Sequence, residues 1–144
     1  MKNLIYVKNK GCLMQVLLSV EPKYVQSIFN GTKKYEFRKT AFKTGDVRTA
    51  LIYSSSPEKK IVGVFEVGGI IKNNPKELWN ICKNQAGIGE KEFFNFFKGF
   101  ETGYAIKIDS VKKFEKKIDP YRMYPGFRPP PSHYYYDYGK LSLN

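Results

Sequence analysis

The order in which β-rich runs and helical stripes follow one another constrains this chain more than any other feature. Met14-Gln15-Val16-Leu17-Leu18-Ser19-Val20 is a compact β-rich run. Pro22 then stands where a helix favours its first residue, and Gly31 where helices stop. Between them Val25, Ile28 and Phe29 fall at i, i+3 and i+4, one apolar stripe for a core. Strand-like segments follow at Tyr35 to Arg38, Thr49 to Tyr53 and Ile61 to Val67, joined by a Gly45-Asp46 turn and a Ser54-Ser55-Ser56-Pro57 loop. Gly68-Gly69 then predicts a bulge or corner before Ile70-Ile71. A parallel doubly wound sheet needs regular strand–helix alternation, which this order excludes. The expectation is an α+β domain.

Two more helices come next. Asn74-Pro75-Lys76-Glu77 has the form of an N-cap, a proline at the first helical position and an acid three residues after the cap. Leu78, Ile81 and Cys82 form the expected buried stripe, with Trp79 beside them. The other helix starts near Gly89-Glu90, carries Phe93, Phe94 and Phe97 towards a core, and ends at Gly99. Tyr104 to Ile108 is a further strand, which Val111 to Phe114 extends, and Tyr134-Tyr135-Tyr136 suits a closing one. Strands with glycine corners suggest a partly closed β-barrel with about three flanking helices. With 144 residues and no long linker, residues 14–144 are expected to form one domain. Residues 1–13 have two readings: an extension upstream of a biological start at Met14, or an added edge strand, Leu4 to Val7.

Composition narrows the partners. Twenty-five Lys and Arg against thirteen Asp and Glu give a formal charge of +12, which attracts polyanions, nucleic acid first. Cys12 and Cys82 form no CxxC pair and the single His133 stands far from both, so neither a metal site nor a cofactor is expected. Two isolated cysteines and the lack of a roughly 20-residue apolar run predict a cytoplasmic protein without membrane contact.

One segment concentrates chemistry. Gly31-Thr32-Lys33-Lys34-Tyr35-Glu36-Phe37-Arg38 has the form G-x-K-x-x-E-x-R directly after a helix. Strand alternation puts Tyr35 and Phe37 on one side, and Lys34, Glu36 and Arg38 on the other. That leaves a charged face open for function. An ammonium, a guanidinium fork and a carboxylate together suit a nucleotide, because cations meet phosphate or carbonyl oxygens and the carboxylate accepts from exocyclic amines. The competing reading is a solvated Glu–Arg pair of little energetic weight.

This segment resembles the signature of the ASCH family, matched at Gly31, Lys33, Glu36 and Arg38. Leu17 to Val20 with Pro22, Tyr53 with its Ser/Pro loop, Ile61 to Val67, and Arg128-Pro129-Pro130-Pro131-Ser132 are similar to the family as well. The resemblance runs from about Met14 to Tyr136. It implies a PUA-like barrel that binds RNA or a nucleotide-like ligand in a cleft beside the first helix. The residues it assigns to that cleft are Lys33, Glu36, Arg38, Tyr53, Ser55 and Arg128, with Tyr134, Tyr135, Tyr136 and Tyr138 available to stack on bases. It also implies an alternative. Some small family members resemble amidohydrolases that deacetylate acetylcytidine with a lysine, a hydroxyl nucleophile and a glutamate. Lys33 matches the lysine, but Glu36 occupies the threonine position and removes the hydroxyl. The catalytic candidates for amide or RNA hydrolysis are then Lys33, Glu36 and Glu66.

Overall fold

The computed structural model describes residues 4–8, 14–40 and 47–129, with residues 4–8 and 14 as backbone only. Cys12, Gly45, Asp46, His133 and the tyrosines from Tyr134 to Tyr138 lie outside the described residues. In chain order the elements are β1 (Leu4–Lys8), β2 (Met14–Val20), α1 (Pro22–Phe29), β3 (Tyr35–Arg38), β4 (Val47–Ser54), β5 (Lys60–Asn73), α2 (Pro75–Cys82), a 3-10 turn (Lys83–Gln85), α3 (Glu90–Phe96), β6 (Gly103–Ile118) and the single turn α4 (Pro120–Met123).

The strands form one mixed sheet in the order β1-β2-β4-β5-β6-β3. Only β2 and β4 run parallel, across the connection that holds α1 and β3. The other neighbours are antiparallel. This is an α+β fold. No pairing among the described residues joins β3 back to β1 or β2, so the strand ladder itself is open. β1 pairs with β2 from Leu4↔Leu18 to Lys8↔Met14, so the segment before Met14 contributes an edge strand.

Local sequence explains the element ends. Pro22 and Pro75 open α1 and α2, and the Asn74 side chain accepts a 2.9 Å hydrogen bond from the Glu77 backbone N–H. Gly31 follows α1 at φ +85°, a left-handed conformation in which a side chain is strained. Gly68-Gly69 does not end β5. It shifts the register between Val67 and Ile70, so β5 and β6 continue as two long strands.

The sheet's two faces bury different clusters. One face, with Val16, Leu18, Val20, Ala50, Ile52, Phe65, Ile106 and Ile108, packs on Tyr24, Val25 and Ile28 of α1. The opposite face holds Leu17, Leu51, Tyr53 and Ile61 under Phe127. Beside it, Phe37 and Ala105 meet Leu78, Cys82, Ala86, Phe93 and Phe97 from the α2–α3 region. Phe93 contacts Phe37 and Phe97 edge-on, with centroids 4.9 and 5.0 Å apart.

The expected α2 stripe needs one correction, because Ile81 is exposed while Leu78 and Cys82 are fully buried. Residues step about 100° round a helix, so the covered arc runs from Leu78 through Cys82 to the half-buried Trp79. Ile81 falls beyond its other edge.

The contrast is measurable by urea denaturation. Phe93→Ala is expected to destabilise the protein by about 3–5 kcal/mol through cavity formation. Ile81→Ala should change stability by no more than about 0.5 kcal/mol.

Candidate functional site

The signature loop is fixed from three directions. The Lys33 backbone N–H donates to Ser27 O of α1 at 3.0 Å, and that of Lys34 to Gln85 O at 2.8 Å. The Lys34 carbonyl in turn accepts from the Ile108 N–H of β6 at 2.9 Å. Lys33 is thereby driven inward, with only 2 % of its surface exposed. Its Nζ donates to the Ala86 carbonyl at 2.8 Å and lies 5.1 and 5.0 Å from the ring centres of Tyr24 and Phe37.

Gly87 makes this approach possible. A Cβ placed there would stand 2.4 Å from the Lys33 Cβ, and its φ of +62° independently disfavours a side chain.

Glu36 and Arg38 are each 3 % exposed, and here the expectation of an open charged face fails. β3 is covered on both faces. Phe37 and its partner Ala105 face the aromatic cluster of α2 and α3. Glu36 lies opposite Ile106, which belongs to the cluster packed on α1. The polar face of the strand therefore turns into the fold. Phe37 is buried as expected, and Tyr35 packs beside the same cluster.

Two residues extend the site. The Tyr24 hydroxyl of α1 donates to the Glu92 carboxylate of α3, which also accepts from Lys23 Nζ at 3.0 Å. Burial raises the Tyr24 phenol well above its ordinary value, and the Glu92 bond and the nearby charge of Glu36 add to that rise. The phenol therefore keeps its proton at neutral pH. The Tyr24 and Lys23 bonds hold the Glu92 carboxyl below its usual range. Burial pushes the Cys82 thiol up to about 11, although the charge of Lys33 opposes this. Tyr24 was legible in principle, since it falls four residues before Ile28 on the buried stripe. Glu92 was not, because it reaches the site from a separate helix.

The remaining candidates separate from this cluster. Glu66 is exposed, and its neighbours Phe65 and Val67 face the α1 side, so it points away from Glu36. Tyr53 is 1 % exposed on the other face, with its hydroxyl 3.2 Å from that of Tyr121 and its ring 5.7 Å from Phe127. Ser55 is half-buried and its N–H donates to Val20 O, while Arg128 is exposed after Phe127. The signature thus supplies a buried group of Lys33, Glu36 and Arg38, and Tyr53 with Phe127 forms a second locality. Among the described residues no set of three His, Cys, Asp or Glu could hold a metal ion, and no helix is long and apolar enough to cross a membrane.

The Tyr24–Glu92 bond carries a sign for pH dependence. A carboxyl with a lowered folded-state pKa adds stability that is present above its ordinary value of 4.5 and is lost as pH falls through the lowered one. Denaturant titrations between neutral and acid pH should therefore show stability falling below pH 4.5. Tyr24→Phe should flatten that limb and leave the remaining pH profile in place. An unchanged acid limb would mean that the bond does not hold Glu92.

The family pattern of the ASCH domain matches residues 18–126. An ASCH domain-containing ribonuclease of Zymomonas mobilis is 22% identical over 117 residues, covering 74% of this chain and 79% of that protein. The crystal structure of an ASCH protein from Zymomonas mobilis superposes with a TM-score of 0.76 at 20% identity, covering 88% of this chain and 90% of the other. A serine-to-alanine variant of that protein gives 0.78, with 88% and 91% covered. The large ribosomal subunit protein uL22 of Ureaplasma parvum is 25% identical over 113 residues, and this chain spans only 36% of its length. With the family pattern covering most of its length and the fold shared, the chain belongs to the ASCH domain family.

Proposed function

We propose that this domain binds single-stranded RNA and seats one nucleotide at the cluster of Lys33, Glu36 and Arg38. The observation that carries this reading is the joint burial of three charged side chains from one short motif. Desolvation opposes such burial by several kcal/mol per ion, and apolar residues of similar volume often stabilise a fold as well or better. A cluster of this kind inside a small domain is better explained by recognition than by folding. Arg38 supplies a planar fork for phosphate or a base edge, Lys33 a point charge, and Glu36 an acceptor for an exocyclic amine. In this reading the sheet curls into a partly closed barrel, and the cleft opens between its wall and α1. The net charge of +12 supplies the sequence-independent attraction.

A second reading is cleavage of the bound strand, favoured by the relative named as a ribonuclease. The groups around Tyr24 suit an attack of the ribose 2′-hydroxyl on the adjacent phosphorus. Glu36 takes the 2′ proton, Lys33 offsets charge on the phosphoryl oxygens, and the Tyr24 phenol, turning its O–H from Glu92 to the substrate, gives its proton to the departing 5′-oxygen. The products are a 2′,3′-cyclic phosphate and a free 5′-hydroxyl. Glu66 has no part in this version, because it is exposed on the opposite side.

Fluorescence anisotropy with a labelled RNA strand tests the binding reading. Affinity should fall steeply with added salt. Arg38→Lys, which keeps the charge and removes the fork, should weaken binding by roughly 1–3 kcal/mol. No binding to any RNA at low salt overturns the proposal. End-labelled RNA decides the second reading. A cyclic phosphate product that disappears with Tyr24→Phe supports cleavage, and an intact strand after prolonged incubation removes it.

A further inference from the structure

The lysines of β6 lie where the strand loses a neighbour. β3 pairs with β6 only from Tyr104 to Lys107, whereas β5 continues alongside as far as Ile61↔Ile118. Beyond Ser110, at φ +46°, one edge of β6 is therefore unpaired among the described residues. The sequence there is Val111-Lys112-Lys113-Phe114-Glu115-Lys116-Lys117.

Two concavities border successive parts of this strand, the first beside α1 and the second beside α4. The first, about 530 Å³, adjoins the signature loop and is bordered by Gly31, Lys34, Lys107 and Val111, with Asp109 its acidic member. The second, about 740 Å³, begins at Lys112 and runs to α4. Five cations line it, Lys112, Lys113, Lys116, Lys117 and Arg122, against two carboxylates, Glu115 and Asp119. Asp119 already faces Lys60 at 3.7 Å, and Lys117 is held by Glu58 at 2.9 Å. Lys113 lies 5.7 Å from the Phe29 ring centre, on the side of α1. Among the described residues Lys112, Lys116 and Arg122 stand in no ion pair.

We infer that β6 carries an RNA track, along which a strand leaving the Lys33–Arg38 site passes Lys34 and Lys107 and then enters the groove of Lys112, Lys113, Lys116 and Arg122. This rests on the RNA reading and adds a second, separable contact surface to it. The track supplies phosphate contacts and hence affinity, and it carries no sequence preference of its own. Its length along one extended strand matches a polyanion with regularly spaced charge better than a compact ligand. The competing explanation is that lysines guard an open β edge against pairing with another chain. That explanation requires no response to RNA.

The two explanations diverge in the triple variant K112Q/K113Q/K116Q, which leaves the Lys117–Glu58 pair intact. Binding would be followed by anisotropy for a trinucleotide and for a single strand of about 20 nucleotides, over a range of salt concentrations. Each phosphate neutralised on a single strand contributes about −0.7 to the slope of log K against log salt, so the long strand's slope should shrink by about 2 in the variant. Trinucleotide affinity should not change. An unchanged slope for the long strand, with or without new aggregation of the variant, overturns the track and leaves the RNA reading standing. An equal loss for both ligands also overturns it, by showing that the substitutions act through the Lys33 site. If the wild type binds neither RNA, the RNA reading fails and the track fails with it. Thermal unfolding of the variant at the wild-type temperature ensures that the comparison is between folded proteins.

Discussion

The placement of one ammonium group organises this domain. Lys33 is carried inward by its own hydrogen bond to α1 and by those of Lys34 to the turn after α2 and to β6, and its Nζ ends on the Ala86 carbonyl. The segment 85–87 must then pass within van der Waals distance of the lysine stem, which Gly87 permits because it has no Cβ. Tyr24 and Phe37 complete the enclosure from two different clusters, so the same side chain joins the α1 face of the sheet to the aromatic layer under α2 and α3. Since a buried ion is poor evidence of stabilisation, the arrangement is better understood as a fold built to hold a charge in place than as one held together by that charge.

β6 shows how the rest of the molecule divides around this constraint. Its first part lies between β5 and β3 and contributes Ala105, Ile106 and Ile108 to two clusters. Its second part keeps β5 alone and carries mostly charged residues, with Phe114 and Ile118 packed towards the face of Tyr53 and Phe127. The change falls at Ser110, where a left-handed residue re-aims the strand. A single strand thus passes from core to charged surface without a loop, and the signature motif docks against its core half.

Most of this framework was legible in the chain. The proline–glycine bounds of α1, the Asn74 cap and the Gly68-Gly69 shift depend on local backbone chemistry, and local chemistry is what a sequence displays. The burial of Val25, Ile28, Phe93 and Phe97 followed from periodicity, although Phe29 and Phe94 are only partly covered. Alternation identified correctly that Glu36 and Arg38 share a face opposite Phe37. It could not show that this face turns inward, because that depends on α1 crossing the sheet, a long-range fact with no local signal. The same limit separated Glu66 from Glu36: register shifts on β5 decide which way a side chain points, and no spacing rule records them. Tyr53 was another such case, a residue of the matching family pattern that packs with Tyr121 and Phe127 on the far face.

The two kinds of charge in this protein have different physical consequences for a ligand. Exposed lysines along β6 act through long-range attraction, which salt screens over about 10 Å at 0.1 M and which is indifferent to base identity. The groups around Lys33 are desolvated and geometrically fixed, so a misplaced donor or acceptor on a ligand would leave a buried polar group without its partner, at about 1–3 kcal/mol for each. Beside them burial raises the Tyr24 phenol, so it stays protonated at neutral pH, and the Tyr24 and Lys23 bonds hold the half-exposed Glu92 carboxyl below its usual range. On the RNA reading, discrimination belongs to this interior set and affinity to the surface lysines. On the same reading the net charge of +12 bears on how tightly a strand is held and says nothing about which strand is preferred.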